Sequence, residues 1–198
     1  MAGSYLAVTS ATGPTLRLNP LCGSPASHDR YRLVLTWSMR AARRWIRRQR
    51  RGTERAGLVA SWFAQRLKPR AIDIRVNIDP VHWFLSPPLD TRSSLYLEDA
   101  AMEFQVQGLE LDWTIVAWDA DLRWRGSDWS FHSFRGAKWT DVKKPERRRY
   151  LMNTYRVLLA RAREGMVIFV PPGAKRDRRN SPTRNLLYVA RGQRSLEA

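Results

Sequence analysis

Two segments in the C-terminal half decide the fold. The first reads Met102-Glu-Phe-Gln-Val-Gln-Gly-Leu-Glu-Leu-Asp112 and runs into the apolar stretch Trp113–Trp118. The second reads Tyr155-Arg-Val-Leu-Leu-Ala-Arg-Ala-Arg163, followed by Gly165 and the apolar run Met166–Val170. Each sets a polar turn or helix end beside a strand that reads as buried. That pairing suits ligand binding at the edge of an α/β sheet, with ligands expected at the carboxyl ends of the strands. No G-x-x-x-x-G-K-[ST] phosphate loop occurs in the chain.

Working outward, Tyr31–Trp37 is a β-rich run that predicts a strand, and Ser38 can cap a following helix. In that helix Ala41, Ala42, Trp45 and Ile46 share a face, Arg40, Arg43, Arg44, Arg47 and Arg48 cover much of the rest, and Arg50, Arg51 and Gly52 end it. Leu58–Ser61 predicts a short strand and Trp62–Leu67 a helical turn. Ile72–Ile78 alternates as a half-exposed strand does. Asp79-Pro80 opens a short helical turn, Ser86–Arg92 is a loop, and Trp113–Trp118 is a core strand. Asp119–Lys138, with Gly126 and Gly136 among aromatics, predicts a β-hairpin excursion. Pro145 suits the first turn of a long helix reaching about Arg163, with Leu151, Tyr155, Leu158, Leu159 and Ala162 on one face and Gly165 as its stop. Strand, helix, strand, turn, strand, long helix, strand predicts a mostly parallel sheet flanked by helices.

Composition narrows the function. The 198 residues fit one domain able to hide roughly 70% of its unfolded surface. Nine tryptophans and 43% hydrophobic content argue against disorder across the middle of the chain. Residues 1–30, rich in Gly, Pro, Ser and Thr, predict an irregular leader, and 173–198 a basic tail with a short helix at Asn185–Arg191. The net charge of +17 comes mostly from arginine, whose planar fork matches phosphate, so the expected partner is DNA or RNA. A solvated helix face is the plain alternative for the arginine run at 40–48. The single Cys22 excludes an internal disulfide and a cysteine zinc cluster, and His28, His82 and His132 have no metal-ligand spacing, so no metal site is expected. No apolar run approaches the roughly 20 residues of a membrane span, and the N-terminus does not read as a signal peptide, so the expected location is cytoplasmic.

Gln107-Gly108-Leu109-Glu110 before an apolar strand resembles motif V of superfamily 1 helicases, and Leu158-Leu-Ala-Arg-Ala162 before another resembles motif VI. With Phe134-Arg-Gly-Ala-Lys-Trp139, Val167-Ile-Phe-Val-Pro171 and Arg92-Ser-Ser, in this order and spacing, residues 31–172 resemble the Schlafen group 3-like DNA/RNA helicase family. The resemblance implies a RecA-like second motor domain of a P-loop NTPase with a small β-hairpin insertion. It also implies a separate N-terminal helicase domain carrying the phosphate loop and the acidic Mg²⁺ motif, so that ATP and Mg²⁺ bind only when that first motor domain completes the site. By position, Arg161 aligns with the arginine finger of motif VI, Glu110 with the carboxylate near the nucleotide sugar, and Gln107 with a polar position between nucleotide and nucleic acid. Gly108 lets the backbone approach a phosphate. A surface arginine, an ordinary surface acid and a plain turn glycine are the alternatives. Arg43, Arg44, Arg47, Arg48 and Arg156 are the expected nucleic-acid contacts.

The chain departs from the family pattern at Ala160 and Met102, where threonine is usual. Trp37 replaces an arginine expected at the phosphates, and Trp62 stands where a small polar residue is expected. These changes fit a specialised or decaying copy, inactive alone. The competing expectations are a non-catalytic nucleic-acid-binding module and a non-functional remnant of a truncated helicase gene.

Overall fold

The computed structural model describes residues 6–10, 13–18, 31–125, 128–136 and 138–171. The expected tail at 173–198 with its short helix, Cys22 and His28 all lie outside the described residues.

Strand β1 (Leu6–Ser10) pairs antiparallel with β2 (Gly13–Leu18), and β2 pairs antiparallel with β3 (Arg32–Thr36). The expectation of an irregular leader is therefore corrected at residues 6–10 and 13–18, and the rest of 1–30 lies outside the described residues. Leu-Ala-Val-Thr and Thr-Leu-Arg-Leu are short β-rich runs, and they add a hairpin to the open side of β3. Helix α1 (Met39–Gln49) follows, capped by Ser38 Oγ accepting from the Ala41 amide at 3.2 Å. Then come β4 (Ala56–Ala60), a 3₁₀ turn at Gln65–Arg70, α2 (Pro80–Leu85), a 3₁₀ turn at Ser94–Tyr96, β5 (Ala100–Met102) and β6 (Leu111–Ala117). Strands β7 (Leu122–Trp124), β8 (Trp129–Arg135) and β9 (Lys138–Asp141) form a separate antiparallel sheet, so the expected hairpin carries a third strand. Helix α3 (Pro145–Leu159), with Pro145 at its first turn, leads into β10 (Ala162–Phe169).

The main sheet runs β1-β2-β3-β10-β6-β4-β5, and its last five strands are all parallel. The connection from β3 to β4 crosses the sheet in one direction and that from β6 to β10 in the other. With crossovers of constant hand, α1 and α3 must cover opposite faces. The core shows this. Leu35, Val59, Val116 and Ile168 pack with Leu151, Tyr155 and Leu158 of α3. Their strand neighbours Val34, Leu58, Ile115 and Val167 pack with Ala42 and Ile46 of α1. Burial on both faces explains why these strands read as continuous apolar runs. The fold is an α/β RecA-like sheet flanked by helices.

Two further expectations are corrected. Ile72, Ile74 and Ile78 are buried alternately, but they form no strand and Val76 is 44% exposed. Asp73 Oδ1 accepts the Arg75 amide at 3.0 Å, a local turn that competes with a ladder. The long helix stops at Leu159, short of Arg163, and Gly165 lies inside β10. A Cβ there would stand 2.5 Å from the Arg32 carbonyl oxygen and 2.9 Å from the Trp113 ring, so this glycine serves close strand packing and ends no helix.

Candidate functional site

The two deciding segments meet at one edge of the sheet. The turn at 106–110 enters β6 and the end of α3 enters β10, and these strands are neighbours with Ala162 opposite Leu111. The Leu111 amide donates to the Arg161 carbonyl at 2.8 Å. The Arg161 guanidinium then ties the segments together. Its Nε donates to the Val157 carbonyl at 3.0 Å, and Nη1 donates to the carbonyls of Val106 at 3.3 Å and Leu109 at 3.1 Å. Gly108 adopts φ +83°, a conformation open to glycine at little cost, and no atom would crowd a Cβ there. Gln107 and Glu110 are exposed on the same turn, with Glu110 3.9 Å from Arg163 across an exposed and therefore weak pair.

Gln107, Gly108, Glu110 and Arg161 are thus brought together, but at the amino ends of β6 and β10. The expectation of a site at the carboxyl ends is corrected for these four residues. The reason lies in chain order, since both segments precede their strands. The arginines expected to contact nucleic acid are not brought together. Arg43 Nε donates to the Leu97 carbonyl at 2.9 Å, and Arg47 Nη2 to the Tyr96 carbonyl at 3.1 Å. Arg44 is half-buried and Arg48 exposed on the same helix. Arg156 is exposed on α3, across the sheet, with Nη1 3.4 Å from Asn153 Oδ1. Arg156 therefore lies on the opposite face of the sheet from the four arginines of α1.

The opposite edge holds groups that sequence reasoning missed. Connections leaving β4 and β6 diverge in the sheet, which makes their carboxyl ends a switch point where α/β sheets open a crevice. Asp119 and Asp121 follow β6 there and are fully buried. Arg66 binds Asp119 Oδ1 through Nε at 2.8 Å and Nη2 at 2.6 Å. The Tyr155 hydroxyl donates to Asp121 Oδ1 at 2.6 Å and accepts from the Asp119 amide at 3.2 Å, while its ring stacks on Trp118 at 4.0 Å. Among the described residues, Oδ2 of each aspartate has no hydrogen-bond partner. Burial, reinforced by the neighbouring Asp119 charge, pushes Asp121 up to about 7. Burial also raises Asp119, against the opposing pull of Arg66, and holds Tyr155 well above the usual tyrosine range. His132 on β8 is driven down to about 4, by burial first and by Arg123 second. In the sequence they read only as two polar residues after a buried strand and a tyrosine on the apolar stripe of α3; their burial comes from the fold.

Glu103, after β5, is the other missed hub. Its buried carboxylate accepts from the Trp62 amide at 2.9 Å, the Tyr150 hydroxyl at 2.8 Å and Thr154 Oγ1 at 3.1 Å. Among the described residues no three His, Cys, Asp or Glu side chains converge as metal ligands, and no helix is long and apolar enough to cross a membrane.

A family model described as Schlafen group 3, DNA/RNA helicase domain, matches residues 16–172. The match begins within β2, consistent with that strand belonging to the domain. No curated protein and no solved structure matches the chain.

Proposed function

The chain belongs to the Schlafen group 3 DNA/RNA helicase domain family, and from that premise we propose that it acts as the second motor domain of an ATP-dependent helicase-like protein. It binds nucleic acid and contributes one wall of an ATP site. The observation that carries this is the joining of the Gln107–Glu110 turn to Arg161 at the amino ends of β6 and β10. Gly108 leaves open backbone where a phosphate can approach, and Gln107 and Glu110 offer exposed polar groups beside it. Among the described residues, Arg161 holds three backbone carbonyls through Nε and Nη1, which leaves its Nη2 donors for a ligand. These residues fit a nucleotide's sugar and phosphates. ATP would supply the phosphoryl group on which negative charge spreads during transfer, and a fixed arginine is the side chain suited to stabilise it.

The phosphate loop and the acidic Mg²⁺ residues must come from a first motor domain, since no phosphate-loop motif occurs in these 198 residues. The purified chain mixed with ATP, Mg²⁺ and single-stranded nucleic acid should release no phosphate above buffer. Release should appear when a first motor domain of the same family is added. Robust hydrolysis by the chain alone would sink this reading.

One observation favours a second reading. Because Arg161 already holds three backbone carbonyls, it also suits a purely structural role in a non-catalytic nucleic-acid-binding module. In that case Arg161→Ala lowers stability but has no separate effect on phosphate release by the reconstituted pair.

A further inference from the structure

We propose that Trp62 and Phe104 form a base-stacking platform for single-stranded nucleic acid at the carboxyl ends of β4 and β5. The proposal rests on the nucleic-acid reading above and assigns it a surface that the arginine pattern did not indicate. Both side chains are large and apolar, yet 47% and 56% exposed. Their backbones are brought near one another, because Ala60 pairs with Met102 and the Glu103 carboxylate, next to Phe104, accepts the Trp62 amide at 2.9 Å.

The platform is built rather than incidental. Glu103 sits beneath it, and its buried carboxylate fixes the Trp62 backbone, Tyr150 and Thr154 at once. The Tyr150 ring lies 5.7 Å from Phe63, edge to face, and 6.2 Å from Phe104, so Phe63, Tyr150 and Phe104 form one connected aromatic group. Burial and the Glu103 carboxylate push the Tyr150 hydroxyl up to about 12, which keeps it protonated and donating at working pH. Fixed aromatic faces lose little freedom when a base stacks on them.

Charge selects the occupant. Lys143, Lys144, Arg147 and Arg149 are exposed at the start of α3, and Arg147 lies one turn before Tyr150. In a chain of net charge +17, exposed rings bordered by cations match bases flanked by phosphates.

The test uses the full chain and fluorescein-labelled oligothymidylate and oligouridylate of about 12 nucleotides, with binding read by anisotropy. Trp62→Ala and Phe104→Ala should each weaken binding about tenfold, the loss expected when one stacked base is removed. The salt slope should stay unchanged, because a ring carries no counterion exchange. Trp62→Phe should restore most of the affinity, and an abasic strand should not distinguish Trp62→Ala from the parent. Arg147→Gln should instead reduce the slope by about 0.7. Whichever oligonucleotide shows the larger Trp62 effect identifies the preferred strand chemistry. Parent-like affinity of the Trp62→Ala, Phe104→Ala double variant would overturn the platform and leave the nucleic-acid reading standing. Failure of the parent chain to bind either strand would overturn both.

Discussion

Asp121 shows how far a single residue can depart from its exposed state when a fold buries it. Its carboxyl is lifted to about 7 by burial and by Asp119, so at pH 5 the folded protein holds a proton that the unfolded chain has released. An acid raised in the fold contributes stability that is complete below its unfolded value near 4 and is lost as pH rises through about 7. His132, lowered to about 4, works in the opposite sense, and its contribution is lost as pH falls from about 6.5 toward 4. Only the aspartate dependence therefore extends above pH 7. Urea unfolding should show the parent about 1 kcal/mol less stable at pH 8 than at pH 6, and Asp121→Asn should flatten that difference. An unchanged slope in Asp121→Asn would place the proton elsewhere. At this scale the sequence was partly legible. Gly108 and Arg161 could be singled out because the strings that hold them resemble helicase motifs V and VI. Asp119, Asp121 and Glu103 looked like ordinary polar residues at strand ends, since only the three-dimensional fold stacks α3 and the second sheet over them and removes water.

The elements follow from period and punctuation where burial is two-sided, and less well at the margins. β6 and β10 announce themselves as apolar runs, and Pro145 marks the start of α3. The end of α3 was not legible, because Arg161, Ala162 and Arg163 continue a helical pattern until pairing with β6 claims them. Ile72–Ile78 has strand periodicity, but Asp73 supplies a local turn that competes with a ladder. β1 and β2 were hidden by Gly and Pro, which mark a short hairpin as readily as an irregular leader. Gly165 carries a clear expectation. Gly165→Ala forces a methyl toward the Arg32 carbonyl and the Trp113 ring, both part of the packed sheet. It should destabilise by about 1–3 kcal/mol in urea titration, with faster amide exchange in β3 and β10. Gly108→Ala meets no atoms and should cost only the backbone strain of its positive φ, about 1 kcal/mol. Equal effects at the two glycines would contradict the packing role of Gly165.

For the whole molecule, charge is plentiful but divided between faces. Arg43 and Arg47 bind carbonyls of the chain itself, while Arg48 is exposed on α1. Binding to single-stranded nucleic acid should fall steeply between about 50 and 200 mM salt. Arg48→Gln should reduce the slope, whereas Arg43→Gln should act mainly through stability, lowering the urea midpoint. Affinity that hardly changes with salt would remove phosphate contact from the account. Phe104 and the Gln107–Glu110 turn belong to one segment, so the proposed aromatic surface and the proposed nucleotide wall are joined through the same short stretch of chain, which Arg161 holds at Val106 and Leu109. The most direct measurement is phosphate release by a first motor domain of this family, with single-stranded nucleic acid and saturating amounts of this chain. Parent chain should stimulate release at least about 100-fold more than Arg161→Ala does, given the usual scale of an arginine finger. The variant should remain folded by circular dichroism and bind nucleic acid as the parent does. Equal stimulation by a folded Arg161→Ala would contradict the account.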